Sequence, residues 1–353
     1  MGATDRSSRQ VATWLLIGVG MTVIQIALGG ITRLTGSGLS ITEWEVITGA
    51  LPPLNEAGWM QEFEKYRQTP QFQLLNFEFT LKDFKFIFFW EWFHRLWARS
   101  IGLVFAGGFI WFIVRKSFKK EMVNPLLILF MLGALQGLVG WIMVASGLTG
   151  DAVYVKPTRL ALHFILALGL LSYTCWFALK LLVPGQQQIN NTQLRNTNLV
   201  LIGLLIIQLL YGALMAGHKA ANVAATWPTI NGSWVPDGMF RDQPFWLNFI
   251  DNTLLVHFIH RGLAYLLLVL TLVWSFRLFK HDGTELFNRF RKWPMIIVLV
   301  QVVLGITSVL SSSGIIAGKW GLFEWMAQLH QLAGMLYLLT LVTMLYLVQK
   351  DKA

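Results

Sequence analysis

The sequence predicts an all-α polytopic membrane protein, with eight transmembrane helices arranged as two pseudo-twofold-related four-helix bundles. Three observations predict it. Of the 353 residues, 55% are hydrophobic and only 13% charged, about half the charged share of a soluble domain. Eight apolar runs are long enough to cross a hydrocarbon core about 30 Å thick. The polar residues inside the first four runs return at matching places in the last four. Nothing alternates with period two, so helices rather than a barrel must satisfy the backbone in lipid.

The spans read 11–31, 85–114, 122–146, 158–183, 197–216, 252–279, 294–312 and 323–348. The first follows a short polar lead, Met1 to Gln10. It outlasts a signal-peptide core and has no A-x-A cleavage site, which points to a retained span in a bacterial plasma membrane. It runs into Gly29-Gly30-Ile31-Thr32-Arg33-Leu34-Thr35-Gly36-Ser37-Gly38-Leu39-Ser40, whose glycines predict turns. Residues 32–84 and 217–250 form long segments on one side, rich in Gly, Pro and Trp, and Pro70–Thr80 reads as an amphipathic cap. Residues 184–196, Pro-Gly-Gln-Gln-Gln and an Asn-rich run, read as a linker between halves 1–183 and 197–353.

The net charge of +10 lies mostly in alternate loops. Arg6 and Arg9, Arg115 to Lys120, Lys180 and Arg195, Arg277 to Lys292, and Lys350 and Lys352 fall on one side. The intervening connections after span three hold few, Lys156, Lys219, Arg241 and Lys319. This is the positive-inside bias, and it predicts cytoplasmic termini. Attraction to the anionic inner leaflet accounts for the basic balance without a nucleic-acid partner. Cys175 is the single cysteine, so no intrachain disulfide or CxxC site exists.

Two repeats link the halves. Spans one, three, five and seven carry Gln25-x-x-x-Gly29, Gln136-x-x-x-Gly140, Gln208-x-x-x-Gly212 and Gln301-x-x-x-Gly305. Residues four apart share a helix face, and a glycine there permits close helix approach. Spans two, four, six and eight carry His94, His163, His260 and His330, each about five to ten residues from the same membrane side. The even number of spans per unit makes the halves parallel, related by an axis along the membrane normal.

Intramembrane ionisable residues mark function. Two imidazoles from facing helices can ligate one haem iron, which pairs His94 with His163 and His260 with His330. Zinc fits less well, since it favours four converging ligands, often thiolates. Arg95 and Arg261 directly follow histidines and are candidate partners for anionic propionates, with Arg33, Arg99 and Arg159 behind them. Glu91 shares a face with His94, whereas His257 holds the equivalent place beside His260. A buried carboxylate suits proton transfer, so this asymmetry marks one half for chemistry and the other for a fixed cofactor. His218 and His281 read as surface residues. A bis-histidine dihaem electron carrier is the alternative to an enzyme; a transporter would call for helices broken beside the site.

Together these residues resemble the haem A synthase family. The likeness covers nearly the whole chain and rests on Gly29 to Ser40, Glu91-x-x-His94-Arg95, His163, His260-Arg261 and His330. Without a cysteine pair in the outer loops, the chain looks like the proteobacterial and mitochondrial branch. The resemblance implies oxidation of the C8 methyl group of haem O to a formyl group by successive hydroxylations. It implies substrate haem between His94 and His163, a haem b cofactor on His260 and His330, and Glu91 serving the oxidation. Haem O synthase and an electron-transfer protein are the implied partners.

Overall fold

The computed structural model describes residues 6–43, 51–316 and 318–351. The lead before Arg6, part of the first long segment and Lys352 lie outside them. Eight helices are long and apolar enough to cross a membrane, and they form an all-α bundle. They are α1 (Arg6–Leu34), α4 (Leu81–Val114), α5 (Lys120–Ala145), α6 (Pro157–Leu182), α7 (Thr192–Gly217), α8 (Thr253–Phe279), α10 (Trp293–Ser311) and α11 (Leu322–Leu347). The shorter α2 (Glu56–Arg67), α3 (Pro70–Leu75) and α9 (Glu285–Phe290) lie between them.

Local chemistry sets the helix ends. Thr80 and Asp83 form a reciprocal capping box at the start of α4, supplying acceptors to orphan N–H groups. The side chains of Asn191 and Asn252 accept the first amides of α7 and α8. Helix α1 stops where Gly36 takes a φ of +69°. The Gly36 amide donates to the Arg33 carbonyl and the Ser37 amide to the Thr32 carbonyl, a glycine-terminated helix end. Most residues avoid that left-handed conformation, so this glycine turns the chain into the loop that closes the first site.

Helix α1 packs on α4 and α6, and α5 packs on α6. In the second half α7 packs on α8 and α11, and α10 on α8 and α11. Helices α6 and α1 of the first half meet α7 and α11 of the second. Gln328 and Gln331 on α11 cross that boundary and donate to the Ala27 and Ile26 carbonyls of α1, at 3.0 and 2.9 Å. Gly30 leaves the space for both carboxamides.

One end of the bundle, the linker end, is filled by side chains. Val11, Trp14, Phe112, Met122, Leu126 and Phe177 form one buried cluster. Leu201, Trp274, Leu278, Phe287, Leu341 and Leu347 belong to another. The segment after α6 is pinned here. Strand β1 (Ile189–Asn190) pairs in parallel with β2 (Val348–Gln349). Arg195 donates to the Leu345 and Val348 carbonyls, and the Tyr346 hydroxyl to the Val183 carbonyl. Helix α7 begins at Thr192, inside the stretch read as linker.

The opposite end, the site end, carries the two long segments. Helix α3 confirms helix within the expected cap at Pro70–Thr80, and α2 precedes it. Both cover the start of α4 through Phe63, Tyr66, Phe72, Phe84 and Phe88. Burial pushes the Tyr66 phenol up to about 12, so it stays a neutral donor to Gln71. In 217–250 short 3-10 turns, Ala220–Ala224 and Phe245–Phe249, replace continued helix.

Candidate functional site

Each of the four histidines lies against the Gln-x-x-x-Gly face of the membrane helix before it. The Gln25 carboxamide nitrogen is 3.1 Å from His94 Nε2 and 3.3 Å from its Nδ1. Gln136 stands 3.3 Å from His163 Nε2, Gln208 3.4 Å from His260 Nε2, and Gln301 3.4 Å from His330 Nε2. Each glycine one turn on faces the same ring. A Cβ at Gly29 or Gly212 would lie 3.2 Å from the histidine Cε1, and at Gly140 or Gly305 2.8 Å. The repeat read as a helix-packing signal is thus four imidazole seats. Each glutamine stands nine or ten residues before the end of its helix, ~14 Å along the axis, so the seats share one level.

Two of the rings come together. His260 and His330 have centroids 6.3 Å apart with planes at 77°. His94 and His163 hold the matching places in the first half, on α4 and α6. Among the described residues no group of three or more His, Cys, Asp or Glu converges as a metal cluster. With a metal–imidazole bond of about 2.0–2.1 Å, two rings on opposite sides of one ion have centroids ~6–6.5 Å apart. The His260–His330 pair falls in that range, and so fits a bis-histidine iron.

His330 shows which nitrogen is available. Its Nδ1 lies 3.0 Å from the main-chain carbonyl of Gln301. A carbonyl only accepts, so Nδ1 carries the proton and Nε2 keeps the lone pair that a metal needs. The ring reaches this carbonyl because Gly305 has no side chain.

Glu91 is buried at 3% exposure and held by four donors. The Ser40 amide and hydroxyl each donate to its Oε2 at 2.7 Å, and the Ile41 amide at 3.0 Å. Arg95 meets its Oε1 at 2.6 Å. Arg95 also donates to the Ile41 and Glu43 carbonyls. Glu91 and Arg95 together therefore clamp the glycine-rich loop beside the His94 seat. Ile41 escaped the sequence reading, and Ser40 entered it only as the end of the glycine-rich run, with no link to Glu91.

The second half repeats the clamp with other groups. Arg261 donates to the Ala224, Thr226 and Thr229 carbonyls at 3.0, 2.7 and 3.1 Å. His257 takes the place of Glu91, fully buried, with neither ring nitrogen hydrogen-bonded. Arg33 donates to the Ala216 carbonyl and Arg159 to the Ile142 carbonyl, while Arg99 lies on the His94 helix. His218 is a half-buried tether, 2.8 Å from the Ile250 carbonyl, and His281 is half-buried too, its Nδ1 2.7 Å from the Asp282 carbonyl.

Residues 12–343 match the model of the family described as cytochrome oxidase assembly protein, COX15-CtaA. Relatives named haem A synthase include one from Rhodospirillum centenum, 43% identical over 306 residues, covering 86% of this chain and 81% of the relative. Another, from Paracoccus denitrificans, is 41% identical over 309 residues, with 86% and 81% covered. A third, from Methylobacterium radiotolerans, is 41% identical over 340 residues, with 95% and 89% covered.

Proposed function

The chain belongs to the COX15-CtaA cytochrome oxidase assembly family, and on that premise we propose that it is a haem A synthase of the inner membrane, oxidising the C8 methyl group of haem O to a formyl group. The observation that carries the reading is the set of four imidazole seats, two of whose rings, His260 and His330, stand 6.3 Å apart. The dihaem electron carrier is set aside, because the relatives are synthases.

In this reading each half is a four-helix unit, 1–183 and 197–353, and 184–196 joins them. Equivalent helices make equivalent contacts: α1 meets α11 as α7 meets α6, which supports the pseudo-twofold relation. The termini face the cytoplasm and the site end faces the periplasm, following the basic loops. His94 and His163 hold the substrate, haem O, whose apolar tail leaves between helices towards lipid. His260 and His330 hold haem b, which would supply a one-electron redox centre. An electron-transfer protein and haem O synthase are the proposed partners.

Glu91 is proposed to serve the oxidation step, one helical turn from His94. Its Oε2 fixes the loop at Ser40 and Ile41, closing the site against water, and its Oε1 faces Arg95. A proton taken from the substrate side would arrive at Oε1 as Arg95 moves onto the Ile41 and Glu43 carbonyls it already contacts. Arg95 and Arg261, both engaged by loop carbonyls, are proposed to reach a propionate by sharing their donors. The experiment is to purify the protein, extract its haems and separate them. Haem b with haem O or haem A is expected, and two equivalents of haem b alone overturns the reading. Glu91→Ala should stop haem A formation while haem b stays bound; normal haem A would remove Glu91 from the chemistry.

A further inference from the structure

The two halves repeat one plan but are not closed alike. Helix α8 packs on both α7 and α10, whereas α4 packs on α1 and stands apart from α5, the counterpart of α10. Two indoles fasten α4 on its α1 side. Trp14 donates to the Val104 carbonyl at 3.1 Å, and Trp97 to the Met21 carbonyl at 2.9 Å. At the linker end Phe112 of α4 joins Met122, Leu126 and Leu129 of α5 in one buried cluster. Helix α4 is also the least buried of the eight membrane helices.

Two glycines widen the α4–α5 seam between that cluster and the histidines. Phe105, Phe109 and Phe112 mark the inward face of α4, and Gly102 lies one turn before Phe105 on that face. Met122, Leu126 and Leu129 mark the inward face of α5, and Gly133 lies one turn beyond Leu129, before Gln136. An added Cβ at either glycine would meet nothing within 4 Å, and both are exposed. In the second half the matching places are Leu268, eight residues after His260, and Val298, three before Gln301. Val298 is buried in the apolar core at 3% exposure, and Leu268 packs against that core. The second half thus fills with side chains what the first leaves open. Three residues separate Gly133 from Gln136 and eight separate Gly102 from His94. The open space therefore runs from ~4.5 to ~12 Å beyond the seats, towards the linker end.

Resting on the haem O reading above, we infer that the α4–α5 seam is the lateral entrance of the first site, and that the apolar tail of haem O lodges there beside Gly102 and Gly133. Haem O slides in from the lipid, and haem A leaves by the same way. On the macrocycle the tail sits on the edge away from the propionates. Propionates held at the site end therefore send the tail towards the linker end, where the two glycines are. Haem b has no such tail and stays bound, and the half assigned to it is packed at the same level. Gly102 and Gly133 thus set specificity, admitting the tailed macrocycle to one half only.

The test uses protein already carrying haem b, offered haem O or further haem b in liposomes. Haem taken up is quantified as the pyridine haemochrome once the protein is re-isolated. Gly102→Leu with Gly133→Val gives the first half the side chains of the second. It should weaken haem O uptake about tenfold or more and leave further haem b uptake little changed, so selectivity for the tailed haem is lost. Gly203→Val on α7, which also fills open space at an exposed glycine, should change neither. If the filled variant sheds its own haem b through misfolding, a reversible bridge decides the matter. In a Cys175→Ala background, Gly102→Cys and Gly133→Cys are joined by a thiol-cleavable bismaleimide. Haem O uptake should stop, and return when the bridge is cut. Undiminished selectivity in the filled variant, free uptake by the bridged protein, or two cysteines that do not bridge would each overturn the inference. An unmodified protein that holds haem b but neither takes up nor oxidises haem O would instead sink the proposed function.

Discussion

Replacing Gly305 by alanine puts a methyl group 2.8 Å from Cε1 of His330. Carbon atoms settle at ~3.5–4.0 Å, so the ring must retreat by ~0.7–1.2 Å. Its 3.0 Å hydrogen bond to the Gln301 carbonyl is then lost, and Nε2 leaves the position that sets the 6.3 Å spacing to His260. Disturbing such a supporting contact lowers metal affinity by about 10–100-fold, and the same is expected for haem b here. At Gly212 the new methyl lies 3.2 Å from Cε1 of His260, so the retreat is ~0.3–0.8 Å. Gly212→Ala should therefore weaken haem b less than Gly305→Ala. Backbone propensity acts in the opposite direction, because alanine favours a helix over glycine by about 0.8–1 kcal/mol. Haem loss accompanied by an unchanged or raised melting temperature is thus the signature of the seat. The assay is haem b per protein after purification at limiting haem, with thermal unfolding in parallel. Full haem occupancy in Gly305→Ala, or a greater loss in Gly212→Ala, would refute the reasoning.

The other expectations address the loop clamps and the boundary between halves. Ser40→Ala removes one of the four donors to Glu91 and should slow haem A formation several-fold without changing bound haem b, read by haem extraction and chromatography. Arg261→Met takes away three contacts to carbonyls between Ala224 and Thr229, so limited proteolysis should cut that segment faster than in the unmodified protein; equal cleavage would count against the clamp. Gln328→Leu together with Gln331→Leu deletes both hydrogen bonds from α11 to α1. At about 0.5–1.5 kcal/mol each, the pair should lower the unfolding temperature measurably, and an unchanged value would show that these two bonds do not hold the halves together.

Much of this was legible because membrane helices obey simple constraints. Length and hydropathy gave all eight spans, since lipid leaves the backbone no other way to satisfy itself. The helix α2 was not anticipated. Its residues Glu62, Glu64, Lys65 and Arg67 are charged and pair with one another or with Glu43, and only Phe63 and Tyr66 are buried, so its apolar stripe is too thin to read. Glu91 was found through its spacing from His94. Its partners Ser40 and Ile41 lie about fifty residues upstream, and no local pattern couples them.

By itself the sequence determined which residues share a helix face and how far each lies from a helix end, because a fixed rise and turn per residue settle both. That placed four histidines in the even spans and four Gln-x-x-x-Gly faces in the odd ones. The tertiary structure decided that the two sets meet, each ring over its own glycine, and that Arg95 and Arg261 grip loops. Those choices depend on which helix faces which, a non-local outcome of packing in which one missing side chain, as at Gly140 or Gly305, makes room for a neighbour's ring.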